Sequence, residues 1–162
     1  MNQAGREDGG DREGAGLAVV GWREWLALPE LGVPAIRAKT DTGARSCALH
    51  ACDIERYREG GQERVRFVVH PLRQHSPVAI CCHARVLDLR TIRNSGGQAE
   101  HRYMIETELE LGGQRWAAEV SLTDRQNMLF PMLLGRTALA GRFLVDVGRS
   151  YCFGRRLSRA YR

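Results

Sequence analysis

Residues 103–122 constrain this chain more than any other stretch. Tyr103, Ile105, Thr107, Leu109 and Leu111 fall on one face of an extended chain, and Glu106, Glu108 and Glu110 fall on the other. A period of two belongs to a half-buried strand and is incompatible with a helix. Gly112-Gly113 then supplies a tight turn, and Trp116, Ala118, Val120 and Leu122 resume the alternation, so 103–122 reads as a hairpin. Residues 64–70 and 78–90 carry the same strand signal. Turn residues recur at Gly60-Gly61 and at Asn94-Ser95-Gly96-Gly97. Short strands with regular turn punctuation predict an all-β fold, a barrel or a sandwich. The one helical candidate is short, 136–141, between Gly135 and a strand at 143–147.

Composition supports a core of that kind. The chain has 162 residues, 43% hydrophobic and 27% charged, enough for one domain. Residues 1–16 hold five glycines and six charged residues, which predicts a flexible tail. The folded domain is expected at 17–154, with a basic tail at 155–162 carrying Arg155, Arg156, Arg159 and Arg162. No apolar run reaches the ~18–20 residues of a membrane span, and no signal-peptide stretch is seen, so a soluble cytoplasmic protein is expected. Among the basic residues only Lys39 is not arginine, a bias that reflects base composition; the net charge of +5 comes with no nucleic-acid-binding signature. Five cysteines, an odd number, argue for reduced thiols.

Two short motifs carry chemistry. In Asp41-Thr42-Gly43 a carboxylate precedes a hydroxyl and a glycine, after the apolar positions Val33 and Ile36. Such a carboxylate can hold and deprotonate a water, the hydroxyl can bond across to a partner half, and the glycine permits a tight turn. Alone the triplet is an ordinary turn sequence. Downstream lies Met132-Leu133-Leu134-Gly135-Arg136, an apolar run ending at glycine; aspartic proteases pack such a segment beside the Asp loop.

Those motifs, together with residues 21–31, 38–45, 48–51, Asn127-Met128, 132–138 and 143–146, resemble the bacterial retropepsin-like family of RimB type, over about residues 17–151. Its members are often labelled "ATP-dependent zinc protease". The resemblance implies a retropepsin-like closed β barrel, half of a pepsin-type two-lobed site. It also implies that Asp41 is the catalytic carboxylate, with Thr42 and Gly43 of its loop. Ala44, Arg45, Lys39, Leu133, Leu134 and Gly135 are expected toward the substrate, with Arg136 as a structural neighbour, and basic Arg45 departs from the acid that viral retropepsins commonly carry there. Members are associated with ATP-grasp ligases that add glutamate to a ribosomal protein, so such a ligase or ribosomal protein is an expected partner beside a peptide or protein substrate. The label itself finds little support: no Gly-x4-Gly-Lys-Ser/Thr loop and no His-Glu-x-x-His are present, and no cofactor is expected. A Cys2His2 zinc site would need His50 with Cys52 and Cys81 with His83 to share faces of strands at 47–52 and 81–83; four unrelated core or surface side chains is the plainer reading.

An aspartic mechanism needs two carboxylates sharing a proton. With one Asp-Thr-Gly per chain, a homodimer with Asp41 from each copy is expected, since Asp124 and Asp146 lack the motif. Arg45 and Lys39 place positive charge beside the expected substrate channel and favour acidic, including glutamate-extended, peptides. The alternative for them is a structural ion pair, with Glu55 or Glu106. A flap is expected at 94–97, or failing that at 59–62. A non-catalytic module that binds and regulates the glutamate ligase is the rival function, and a zinc hydrolase the third.

Overall fold

The computed structural model describes residues 16–72, 76–93, 96–125 and 127–162; residues 1–15 of the tail expected at 1–16, and His75, lie outside them. Strands β1 (Ala18–Val20), β2 (Arg23–Leu28), β3 (Val33–Asp41), β4 (Cys47–His50), β5 (Cys52–Glu59) and β6 (Gln62–Val69) occupy the first half. Strands β7 (Ile80–Arg93), β8 (Ala99–Leu111), β9 (Gln114–Thr123) and β10 (Met132–Gly135) follow, then helix α1 (Arg136–Leu139) and β11 (Phe143–Val145).

Six strands run in the order β2-β3-β10-β4-β9-β8, and pairing of Ala27 with Glu110 joins β8 back to β2. The ring is thereby closed, which removes the exposed sheet edges of an open sheet. Strand β8 is long enough to serve two partners along one edge. Its end meets β2, while its first half pairs with β7 from Arg93↔Ala99 to Val86↔Ile105, and β6 and β5 continue outward from β7. The molecule therefore has a barrel and a three-stranded extension. Inward residues of both fill one core: Leu26, Ile36, Leu109, Val120, Leu134 and, from the extension, Phe67 are all fully buried. Burying side chains of this size contributes about 1.5–3 kcal/mol each.

The alternation of 103–122 appears as expected. Ile105, Thr107, Leu109 and Leu111 are buried, and Gly112 and Gly113 have φ of 59° and 78°, the left-handed pair that a two-residue hairpin turn requires. The strands read at 64–70 and 78–90 are β6 and β7, shifted by a few residues.

The last residues of the expected domain and residues 155–162, read as a basic tail, both pack on the barrel. Trp22 N–H donates to Arg149 O at 2.8 Å and Tyr151 N–H to Arg23 O at 2.9 Å. The fully buried carboxylate of Glu24 accepts the N–H groups of Gly21, Cys152 and Phe153 at 2.7, 2.9 and 3.3 Å. Arg156–Arg159 forms a 3-10 turn, and the Tyr161 hydroxyl bonds the Ala35 carbonyl. Charge patterning gave no warning that 155–162 is held down, because its anchor is a phenol, Tyr161, reaching Ala35 across the fold. No helix among the described residues is long and apolar enough to cross a membrane.

Candidate active site

Asp41 ends β3, and the backbone around it is held from three sides. Strand β10 runs parallel to β3 with Leu133 beside Lys39 and Gly135 beside Asp41, so the two motifs 94 residues apart in the chain (135 − 41) meet at their ends. Gly43 N–H donates to Asp41 Oδ1 at 3.2 Å, and Ala44 N–H returns to Asp41 O. Immediately before the aspartate, Thr40 N–H donates to Trp22 O at 2.9 Å and its hydroxyl to Gly21 O at 2.8 Å.

From the other side, α1 closes on the loop. Arg136 N–H donates to Ala44 O, Thr137 N–H and hydroxyl both donate to Arg45 O, and the Arg136 guanidinium donates to Gly43 O at 3.1 Å. This is possible because residue 135 has no side chain. A Cβ there would sit far inside van der Waals contact with the Ser46 carbonyl. The hydrophobic-hydrophobic-glycine segment thus works by close approach. Leu133 faces the cleft, but Leu134, expected toward the substrate, is fully buried in the barrel core and cannot touch a ligand. Gly135 is buried too and acts through backbone packing.

An open cleft of about 860 Å³ lies over these elements. Its floor is a row across the sheet: Lys39, Leu133, Ala48 and Ser121 are consecutive partners on β3, β10, β4 and β9, so their side chains share one face. Asp41, Gly43, Ala44 and Arg45 form one end. Thr42 and Gly43 are exposed, and the Thr42 hydroxyl has no partner among the described residues.

The remaining walls were not legible in the motifs. Strands β7 and β8 bring in Arg90, Ile92, Arg93 and Arg102, and the loop after β9 brings in Arg125, Met128, Leu129 and Phe130. Arg102 is 6% exposed and satisfied, bonding Glu100 through Nε and Nη2 at 3.0 Å and lying 3.4 Å from Ser121 Oγ. Arg90 straddles Glu119 at 3.0 and 3.4 Å and also meets Asp88. Hydrogen bonds from Arg90 hold the Glu119 carboxyl below the usual carboxylate range, and Arg45 adds to the effect. Lys39, Arg45 and Arg125, by contrast, enter no ion pair among the described residues. His50 positions one of them, since its Nδ1 accepts the Arg125 backbone N–H at 3.2 Å. Cys47, under the Asp loop, is inert: burial pushes its thiol up to about 11.

Other expectations fare differently. Arg45 does not pair with Glu55, which bonds Arg66, nor with Glu106. Of the flap at 94–97, residues 94 and 95 lie outside the described residues; the strands on either side line the cleft through Ile92, Arg93 and Arg102. The second flap candidate, 59–62, is the tight turn between β5 and β6, and the cleft does not include it. The zinc arrangement does not assemble. The chain leaves β4 after His50 and enters the extension at Cys52, with Asp53 at φ 52°, so His50 is buried in the barrel while Cys81 and His83 lie exposed on β7. Among the described residues no three His, Cys, Asp or Glu side chains converge. Of the other histidines, His101 meets the Thr91 hydroxyl at 3.1 Å, and His70 follows β6 with its Nδ1 unpartnered.

The family model described as "Retropepsin-like aspartic endopeptidase RimB" matches residues 19–156. The chain belongs to that family. Its sequence relatives carry a different title. A "probable alpha-L-glutamate ligase" of Shewanella pealeana is 41% identical over 136 residues, 84% of this chain and 30% of that protein. One from Parasynechococcus marenigrum is 43% identical over 136 residues, 84% of this chain and 29% of that protein. The chain thus spans under a third of these curated relatives. Among solved structures, a Legionella pneumophila protein of unknown function superposes with a TM-score of 0.72 at 26% identity, covering 83% of this RimB-like chain and 97% of the other.

Proposed function

We propose that this RimB-like chain is an aspartic endopeptidase that cleaves carboxylate-rich peptides. The observation that carries the reading is the juxtaposition of Asp41, in its braced Asp-Thr-Gly loop, with Lys39, Arg45 and Arg125 free of ion pairs in the same cleft. Free guanidinium and ammonium groups beside the reacting centre favour substrates bearing carboxylates, with bidentate bonds open to the arginines.

The chemistry needs two carboxylates. One takes a proton from water as the oxygen attacks the peptide carbonyl, the other protonates that carbonyl oxygen, and the gem-diol collapses as the amide nitrogen is protonated and leaves. The cleft's other acid, Glu119, is a poor second member, because Arg90 holds it as the anion and so disfavours proton sharing. The second carboxylate is then the Asp41 of another copy, which accords with the exposed Thr42 and Gly43 beside it.

A second reading has its own support in the names of these relatives: a module that matches part of glutamate ligases would bind glutamate-extended chains and regulate their synthesis without cutting them. One comparison separates the two. Wild type and Asp41→Asn, a change of charge with little change of volume, are incubated with an acidic peptide library from acidic to neutral pH. The peptidase reading expects cleavage that falls by at least about a thousandfold in the variant and is indifferent to EDTA. Binding without cleavage by either protein favours the regulatory module, and cleavage lost only with EDTA favours a metal hydrolase.

A further inference from the structure

The cationic face does not stop at the cleft. On β2, Arg23 pairs with Lys39 of β3, and on the same face Trp25 pairs with Arg37. The row Ser121, Ala48, Leu133, Lys39 therefore extends one strand further to Arg23. Four strand spacings of ~4.8 Å make a span of roughly 19 Å, about six residues of extended peptide at ~3.3 Å each.

Beyond it the side chains continue as a stack. The Arg37 guanidinium lies 4.8 Å from the Phe130 ring centroid, and Phe130 lines the cleft. Phe130 meets Trp22 edge-on at 5.9 Å, Trp22 carries Arg23 at 4.5 Å, and Arg23 and Arg155 lie 4.8 and 4.5 Å from Tyr151. Arginines and aromatics thus run from the cleft rim to the C-terminal segment, across residues far apart in sequence. Arg23, Arg37 and Arg155 enter no ion pair among the described residues, and Arg23 Nε is buried without a partner. Stacking immobilises a guanidinium while leaving the N–H donors at its solvent edge open (the buried Arg23 Nε is not one of them), so the entropy of ordering these side chains is already spent. Three such cations without ion pairs on one strip make a local positive potential that attracts a polyanion.

We propose that this strip is an extended subsite that holds an acidic polypeptide, a run of side-chain carboxylates, several residues away from the scissile bond. The proposal rests on the acidic-peptide reading of the cleft, with which the strip is continuous. Single-stranded RNA is the weaker fit, because base stacking needs open aromatic faces and those of Tyr151 and Trp22 already carry guanidiniums.

The test uses the full chain carrying Asp41→Asn, so that binding is read without turnover. Fluorescence anisotropy compares labelled oligoglutamates of three and ten residues, and a ten-nucleotide RNA, with and without Arg155→Gln or Arg37→Gln. The ten-residue peptide is expected to bind at least tenfold tighter than the three-residue one. Each arginine change is expected to weaken the long peptide by about fivefold and leave the short one alone. Arg155 is exposed, so its removal leaves the core intact, and Arg155→Lys, which keeps charge but not the planar fork, is expected to recover only part of the loss. Equal binding of the two lengths, or long-peptide binding unmoved by both arginine changes, overturns the strip. Tighter binding of RNA, lost in the same variants, overturns the polypeptide assignment. Failure of the peptidase reading looks different: wild type cleaves nothing while the length dependence and its loss in Arg155→Gln persist.

Discussion

The arginines of the outer extension and those of the barrel face live in different company. On β5 and β6, Arg66 bonds Glu55, Arg56 and Arg58 approach Glu63 at 3.9 and 3.8 Å, and Arg64 donates to the Tyr57 hydroxyl. On the turn side of the barrel, Arg115 meets Glu108 at 2.8 Å. Across the cleft and its continuation, Lys39, Arg45, Arg125, Arg23, Arg37 and Arg155 form no ion pair among the described residues, although Arg45 lies near enough to Glu119 to act on it and the same chain supplies acids freely elsewhere. Composition cannot see this difference, since arginine dominates both regions. What distinguishes them is whether folding leaves the charge spent or available, and only available charge can select a substrate.

Reversing one free charge has the largest expected effect. Arg45→Glu places a carboxylate next to the Asp41 loop, replacing attraction with repulsion toward an acidic peptide. Its kcat/KM on acidic peptides is expected to fall by at least about tenfold, with neutral peptides less affected, because like charges brought together cost as much as opposite ones gain. Steady-state kinetics on a matched pair of peptides checks it. An unchanged acidic preference would show that the free cations do not read the substrate.

A smaller effect is expected from releasing a spent charge inside the cleft. Glu119→Gln releases the Nη groups of Arg90 from their carboxylate, leaving its Nε on Asp88, and KM for acidic peptides is expected to fall about threefold, within the range of exposed ion pairs. The variant also has a pH signature. The folded protein holds the Glu119 carboxyl below its ordinary value, so the pair stabilises the fold above that value and the contribution disappears as pH falls through the lowered one. Glu119 and Arg90 are 45% and 39% exposed, so the effect on stability is modest. Thermal melts of wild type and variant should therefore differ near neutral pH and converge in acid.

Much of this architecture could be read from residues alone, because its causes are local. The period of two in 103–122 follows from which face is buried, and the two glycine turns follow from left-handed backbone. The motif around Asp41 and its partner at Gly135 were also legible, since each needs a particular residue at a particular point. What escaped was everything fixed by register between distant strands. Arg102 reaches the cleft because β8 pairs β9 with Met104 beside Ser121, and nothing near residue 102 announces that. The buried Glu24 is a similar case: its partners are 128 and 129 residues away. Leu134 shows the converse, a residue placed in the right motif whose side chain points into the core instead of the cleft, because successive residues of a strand alternate faces.

The smallest effect belongs to the outer pair. Arg66 and Glu55 bond each other on the exposed face of the extension, with side chains 50% and 62% exposed. Ion pairs in that setting contribute about 0–1 kcal/mol, since water and salt screen them and two long side chains must be ordered to form them. Arg66→Gln is therefore expected to lower stability by less than about 1 kcal/mol in denaturant titration and to leave acidic-peptide cleavage unchanged. Should it weaken acidic peptides as strongly as the change at Arg45, selection would follow total positive charge, not the particular arginines that folding has left unpaired.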